Sequence, residues 1–231
     1  MSDFQSSVLQ ELDWRGFIQH WADAGLDEEL EKRSMRLYCG FDPSAASLHV
    51  GNLLPMMGLA FFRRHGHKPM ALVGGATGLI GDPSGKSEER TLQSEEDIKR
   101  NLSGISSQLQ SVLDRALAMH PEMLGSESTS SDKVPLLNNA DWFKEKTYIG
   151  FLRDVGKFFS VNSMLSKESV RARLEEREQG ISYTEFSYML IQAYDFLHLR
   201  EEYDCELQVG GSDQWGNISA GMSLIRKKRD P

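Results

Sequence analysis

The 231-residue sequence predicts an α/β fold: a doubly wound parallel sheet with helices on both faces and an inserted helical segment. Two observations predict it. Three short apolar runs each end in a polar, glycine-rich tip: Leu37-Tyr38-Cys39-Gly40-Phe41-Asp42-Pro43-Ser44, then Leu72-Val73-Gly74-Gly75-Ala76-Thr77-Gly78-Leu79-Ile80-Gly81-Asp82, then Leu207-Gln208-Val209-Gly210-Gly211-Ser212-Asp213-Gln214-Trp215-Gly216-Asn217. Between them lie segments with apolar residues at helical spacing, the alternation that yields parallel strands.

From about Ser6 to Arg33, Val8, Leu9, Leu12, Phe17, Ile18 and Trp21 fall at mostly helical spacing, followed by acidic Asp27-Glu28-Glu29-Leu30-Glu31. This predicts two helices within residues 1–33, packed on a larger domain at 34–231. Strand one is expected from Met35 to Phe41 and a helix from about His49 to Arg64; the turn Gly66-His67-Lys68-Pro69 leads into strand two at Met70 to Val73. Such a βαβ crossover is right-handed. A polar loop, Gly81 to Arg90, precedes a long amphipathic helix from about Ser94 to His120, with Ile98, Leu102, Ile105, Leu109, Val112, Leu113 and Leu117 on one face. Pro121 to Pro135, containing Gly125-Ser126-Glu127-Ser128-Thr129-Ser130-Ser131, reads as an exposed linker. A short strand Leu136 to Asn139, a helix Ile149 to Phe159 and a charged helix Lys167 to Gln179 follow. In the next helix, Tyr183 to Leu197, Tyr188, Gln192 and Asp195 are spaced i, i+4, i+7 and share a face. A strand at Glu206 to Val209 and a helix from about Gln214 to Arg226 close the chain.

Lys plus Arg number 26 and Asp plus Glu 34, a formal charge of −8, so bulk electrostatics do not favour nucleic acid. The basic run Arg226-Lys227-Lys228-Arg229 reads first as a solvated helix end. Cys39 and Cys205 lack CxxC spacing, which argues against a metal site and a disulfide framework, and reduced cytoplasmic thiols are expected. Met1-Ser2-Asp3-Phe4-Gln5 has no basic leader, and charge interrupts every apolar run before the ~20 residues a membrane span needs. A cytoplasmic, non-membrane protein is the expectation.

Two familiar phosphate motifs fail. A Walker loop ending at Gly85-Lys86-Ser87 would need glycine where Ile80 stands, and no GxGxxG follows strand one. Instead Ser44 and His49 flank a helix start that offers backbone donors to an anion, and Gly51 allows close approach to the backbone. His49-Val50-Gly51-Asn52 resembles the HIGH signature of class I aminoacyl-tRNA synthetases. Together with Tyr38-Cys39-Gly40-Phe41-Asp42-Pro43, Val73 to Lys86, Phe186 to Asp195 and Gly210 to Asn217, it makes almost the whole chain resemble the bacterial-type tyrosyl-tRNA synthetases.

The resemblance implies a Rossmann-like (HUP-type) fold and a tyrosine–tRNA ligase. Such an enzyme joins L-tyrosine and ATP, with Mg²⁺, into tyrosyl-adenylate and pyrophosphate, then charges tRNA(Tyr). It needs no organic cofactor and no protein-held metal. His49, Ser44, Lys86 and Arg90 are then assigned to the leaving phosphates. Cys39, Gly40, Asp42, Gly51, Asn52, Gly210, Gly211, Asp213 and Gln214 go to ATP and the reacting centre. Asp82, Tyr188 and Gln192 would grip the α-ammonium group, Tyr38 and Asp195 the phenol, with Gln208 beside them. On the residues alone, Asp42-Pro43 reads equally as a turn, Lys86 and Arg90 as loop charges, and Tyr188 and Tyr194 as core aromatics.

The family pattern also implies a homodimer, with an insertion at about 125–159 in its interface. Asn52 departs from the signature's final histidine, and Pro55 is expected in the helix's first, tolerant turn. No KMSKS-like segment or C-terminal RNA-binding module follows the last helix, so the chain is expected to be the N-terminal catalytic portion of a longer protein, impaired in charging. A non-catalytic tyrosine- or nucleotide-binding fragment is the alternative. Tryptophan activation is disfavoured because an indole has no use for paired Tyr38 and Asp195.

Overall fold

β1 (Arg36–Phe41) and β2 (Lys68–Val73) are the centre of a four-stranded sheet of order β3-β2-β1-β4, with β3 at Leu136–Asn138 and β4 at Leu207–Gln208. All pairings are parallel. The architecture is seen in a computed structural model that describes residues 3–83, 92–118, 133–167, 170–171, 174 and 180–229. The helices are α1 (Ser7–Trp14), α2 (Ala24–Lys32), α3 (Val50–Arg64), α4 (Thr77–Ile80), α5 (Glu95–Ala118), α6 (Ala140–Phe143), α7 (Tyr148–Asp154), α8 (Val161–Leu165), α9 (Tyr183–Tyr203) and α10 (Trp215–Arg229).

The two-residue period of the strands divides the core. Leu37, Cys39, Phe41, Ala71 and Val73 face one way and pack with Met56, Leu59 and Phe62 of α3 and Ile105 and Leu109 of α5. Tyr38, Met70 and Leu72 face the other way and pack with Phe196 and Leu199 of α9. Both faces are therefore covered, which is why these strands read as near-continuous apolar runs. Val8, Leu9 and Leu12 of α1 join the first cluster. The Asp27 carboxylate accepts from the backbone N–H groups of Gln5 and Ser6 at 2.7 and 2.8 Å, fixing the start of α1 against α2.

The structure departs from the expected elements at several places. β4 has two residues rather than four, although N–H groups of Glu206 and Val209 continue its bonding to β1 at 2.9 Å each. The helix expected at Ile149 to Phe159 is α7 plus a 3-10 turn, Gly156–Phe158, because the backbone leaves helical geometry at Val155, just before a glycine. α9 runs on past Leu197 to a left-handed Asp204. Pro55 is not in the first turn: with α3 starting at Val50 it is the sixth residue, where its missing N–H leaves the Gly51 carbonyl without its helical donor. The basic run forms the last turn of α10, where Lys227 donates to the Phe158 carbonyl and Lys228 pairs with Glu201. Residues 121–132 of the linker expected at Pro121 to Pro135, and most of the helix expected at Lys167 to Gln179, lie outside the described residues. Among the described residues, no helix is long and apolar enough to cross a membrane.

Candidate active site

The chain moves from β1 to β2 to β3 in one direction across the sheet and then returns to place β4 on the other side of β1. Strand tips diverge at such a reversal, and the crevice outside their carboxyl ends is where open α/β sheets hold ligands. A cavity of about 420 Å³ opens there, lined by Phe41 at the end of β1 and Asp42 after it, and by Val209, Gly210 and Gly211 after β4.

At its inner end the register sets Tyr38 of β1 beside Gln208 of β4. Both are buried, and neither the Tyr38 hydroxyl nor Gln208 Oε1 has a hydrogen-bond partner among the described residues. Gln192 Oε1 is in the same position. Buried polar atoms are rarely left so, and three in one cavity point to groups that a ligand supplies. Burial, then the nearby Asp195 charge, pushes the Tyr38 phenol well above its ordinary value, so it stays protonated.

The spacing that put Tyr188, Gln192 and Asp195 on one face of α9 is realised, and all three line the cavity. Asp195 is 2% exposed; its Oδ1 accepts from Trp142 Nε1 at 2.8 Å and its Oδ2 from Asn139 Nδ2 at 3.0 Å. Burial raises this carboxyl to about 7 against the pull of those two donors. Asn139 also donates to Thr77 Oγ1 at 3.1 Å, Thr77 donates to Asp42 Oδ1 at 2.8 Å, and the Tyr188 hydroxyl donates to Asp42 Oδ2 at 3.0 Å. An unbroken chain of hydrogen bonds thus joins two carboxylates through neutral side chains. Burial, then Asp42, raises the Tyr188 phenol.

Gln214 is a second hub. Its Nε2 donates to Asp82 Oδ2 at 2.6 Å and Asp213 Oδ2 at 3.0 Å, while its Oε1 accepts from Gln192 Nε2 at 3.1 Å. Asp82, Gln192, Asp213 and Gln214 therefore sit on one wall, a polar rim suited to a cation.

At the mouth, His49 caps α3. Its Nδ1 accepts from the Gly51 N–H at 3.1 Å, and Asn52 Oδ1 accepts from the His49 N–H at 3.0 Å. With Nδ1 an acceptor, a neutral imidazole carries its proton on Nε2 as a donor. Gly51 is not a lining residue; a Cβ there would lie 2.9 Å from His49 Cε1, so glycine lets the ring fold back over the helix start. Ser44, Cys39, Gly40 and Asn52 line the cavity as well. Burial raises the Cys39 thiol to about 12, which keeps it neutral. Lys86 and Arg90 lie outside the described residues.

Sequence reasoning passed over Thr77, Asn139 and Trp142. Asn139 carried a usable signal, a polar residue at the carboxyl tip of a parallel strand. Trp142 carried none, since it reaches Asp195 from 53 positions away.

A parallel sheet whose polar crevice lies at the reversal of strand order, with a capped helix start at its mouth, defines the class of Rossmann-like α/β proteins that bind nucleotides. Within that class the chain belongs to the family of class I tRNA synthetases (W and Y), which matches residues 30–231. It is 53% identical over 223 residues to the tyrosine–tRNA ligase of Opitutus terrae and 54% identical over 222 residues to that of Roseiflexus castenholzii, covering 96% of this chain and 49% of each relative. A C-terminally truncated mitochondrial tyrosyl-tRNA synthetase from Aspergillus nidulans superposes with a TM-score of 0.85 at 33% identity, over 96% of this chain and 61% of that one. The chain spans about half the length of the curated relatives it matches.

Proposed function

We propose that the chain is the amino-acid-activating part of a tyrosine–tRNA ligase. It binds L-tyrosine with its phenol toward Tyr38 and Asp195 and its ammonium group toward Asp82, Tyr188 and Gln192. ATP, as its Mg²⁺ complex, takes the outer part of the cavity, with Asp42, Asp213 and Gln214 about the ribose and reacting centre and Ser44 and His49 on the phosphates. A tyrosine carboxylate oxygen bonds the α-phosphorus, the bond from that phosphorus to the bridging oxygen breaks, and its electron pair leaves with pyrophosphate. No protein nucleophile is needed; positioning and the His49 donor carry the step, with Lys86 and Arg90 as further cations. In the whole protein the tyrosyl group passes to the 3′ end of tRNA(Tyr).

The observation that carries this reading is the unpartnered, buried Tyr38 hydroxyl beside the Asp195 carboxylate. A phenol satisfies both groups, donating to Asp195 and accepting from Tyr38. An indole N–H donates but offers Tyr38 no acceptor, and a phenyl ring serves neither. L-tyrosine is therefore expected to raise the melting temperature of the chain more than equal concentrations of L-tryptophan or L-phenylalanine do; equal shifts from tyrosine and tryptophan would remove the basis for choosing between the family's two amino acids. The exposed Tyr148 and Ile149, within the insertion at about 125–159, support a homodimer formed through that segment, which sedimentation velocity would detect.

A further inference from the structure

We propose that α5 acts as a clamp on the loop that presents Ser44 and His49, with Asn101, Gly104 and Gln108 as positioning residues. The inference rests on the reading of that loop as the phosphate contact. Residues 44–47 are exposed and have no regular structure, so the loop cannot hold its own shape. One face of α5, at spacing i, i+3, i+7, holds it instead. Buried Asn101 donates from Nδ2 to the Pro43 carbonyl at 3.0 Å. Gly104 lies against the Ala46 carbonyl so closely that a Cβ would fall 2.2 Å from its oxygen. Gln108 Oε1 accepts from the Leu48 N–H at 2.7 Å. Just ahead of the helix, Gln93 Nε2 donates to the Ser44 carbonyl at 2.8 Å and Gln93 Oε1 accepts from Asn101 at 3.2 Å. Four contacts on consecutive parts of one six-residue loop exceed what helix packing requires, and none comes from a residue lining the cavity. Their effect is to fix Ser44 and the cap residue His49 before a ligand arrives.

The test uses Gly104→Ala, Gln108→Leu and Gln108→Glu in this chain, with His49→Ala as reference. ATP and L-tyrosine affinities, the melting temperature and amide exchange at Leu48 are measured for each. Alanine favours a helix more than glycine does, so helix propensity alone predicts no loss for Gly104→Ala. The clamp predicts ATP binding weakened by about tenfold or more, because a displacement of order 1 Å is enough to misplace a phosphate contact, with tyrosine affinity changed less than about twofold. Gln108→Leu should weaken ATP and speed exchange at Leu48, whereas Gln108→Glu, which keeps the acceptor, should restore both.

If His49→Ala loses ATP while Gly104→Ala and Gln108→Leu keep it, the clamp is wrong and the site reading stands. Loss of tyrosine in proportion to ATP also overturns the clamp, since it marks general destabilisation. If His49→Ala binds ATP as the parent does, or ATP binding is too weak to measure, exchange at Leu48 decides. Faster exchange in Gly104→Ala and Gln108→Leu but not in Gln108→Glu upholds the clamp, and exchange in Gly104→Ala equal to the parent's ends it.

Discussion

At the scale of single residues, burial raises the Asp195 carboxyl against the pull of its two donors, and that conflict makes it a reporter. Its two oxygens already accept from Asn139 and Trp142, and the ionised form is the stronger acceptor for a further bond from a phenol. With the carboxyl raised to about 7, the affinity for L-tyrosine should fall as pH drops from 8 to 6, by at most about tenfold per unit. L-phenylalanine, which gives Asp195 no donor, should show a smaller pH dependence in that range, and the difference between the two profiles isolates the contribution of the phenol. Calorimetric titration at three pH values checks this. The same shift bears on stability. Between the unfolded carboxyl value near 4 and about 7, the folded chain holds a proton at Asp195 that the unfolded chain lacks, so this residue's contribution falls as pH rises through that window and levels off above it. Asp195→Leu should abolish the preference for tyrosine over phenylalanine.

At the scale of elements, α1 is tied to the end of α3 through Glu11, which accepts from Arg64, from His65 Nε2 at 2.8 Å and from Arg15 at 2.8 Å. Burial alone would raise this carboxyl, but the three donors outweigh it and bring it to about 2. Glu11→Gln should cost about 1–3 kcal/mol at neutral pH by chemical denaturation. Because the folded value is depressed, that stabilisation is full above the unfolded value near 4 and is lost as pH falls toward 2, so the gap between parent and variant should close there. A second element-scale test concerns the tip of β2. A Cβ at Gly74 would lie 2.1 Å from Asp42 Oδ1 and 2.3 Å from Thr77 Oγ1, so Gly74→Ala should break the chain linking Asp42 to Asp195 and weaken tyrosine and ATP binding together.

The elements that sequence periodicity revealed are those whose pattern spans several turns, such as α3, α5 and α9. The four-residue α4 and α6 were missed because a single helical turn has no periodicity and stands only on tertiary contact. Likewise Tyr188, Gln192 and Asp195 were legible as one face, while Thr77, Asn139 and Trp142 matter through partners 35 to 62 positions away, which no local pattern encodes.

At the scale of the molecule, the strand order places the cavity. The polar strand tips were readable in the chain, but the reversal that brings β4 beside β1 is set by long-range packing of α9 against Tyr38, Met70 and Leu72. From that reversal follow the depth of the site and the pairing of Tyr38 with Gln208. The net charge of −8 leaves any RNA contact of this chain to local surfaces.

The central claim is that this crevice seats a phenol between Tyr38 and Asp195. Equilibrium titration of the chain with L-tyrosine and L-phenylalanine at pH 8 tests it most directly. Leaving the buried Tyr38 hydroxyl unpaired and removing the phenol's bond to Asp195, at about 1–3 kcal/mol each, predicts that phenylalanine binds about thirtyfold more weakly or worse, and that Tyr38→Phe narrows the gap. Equal affinities for the two amino acids would contradict the account.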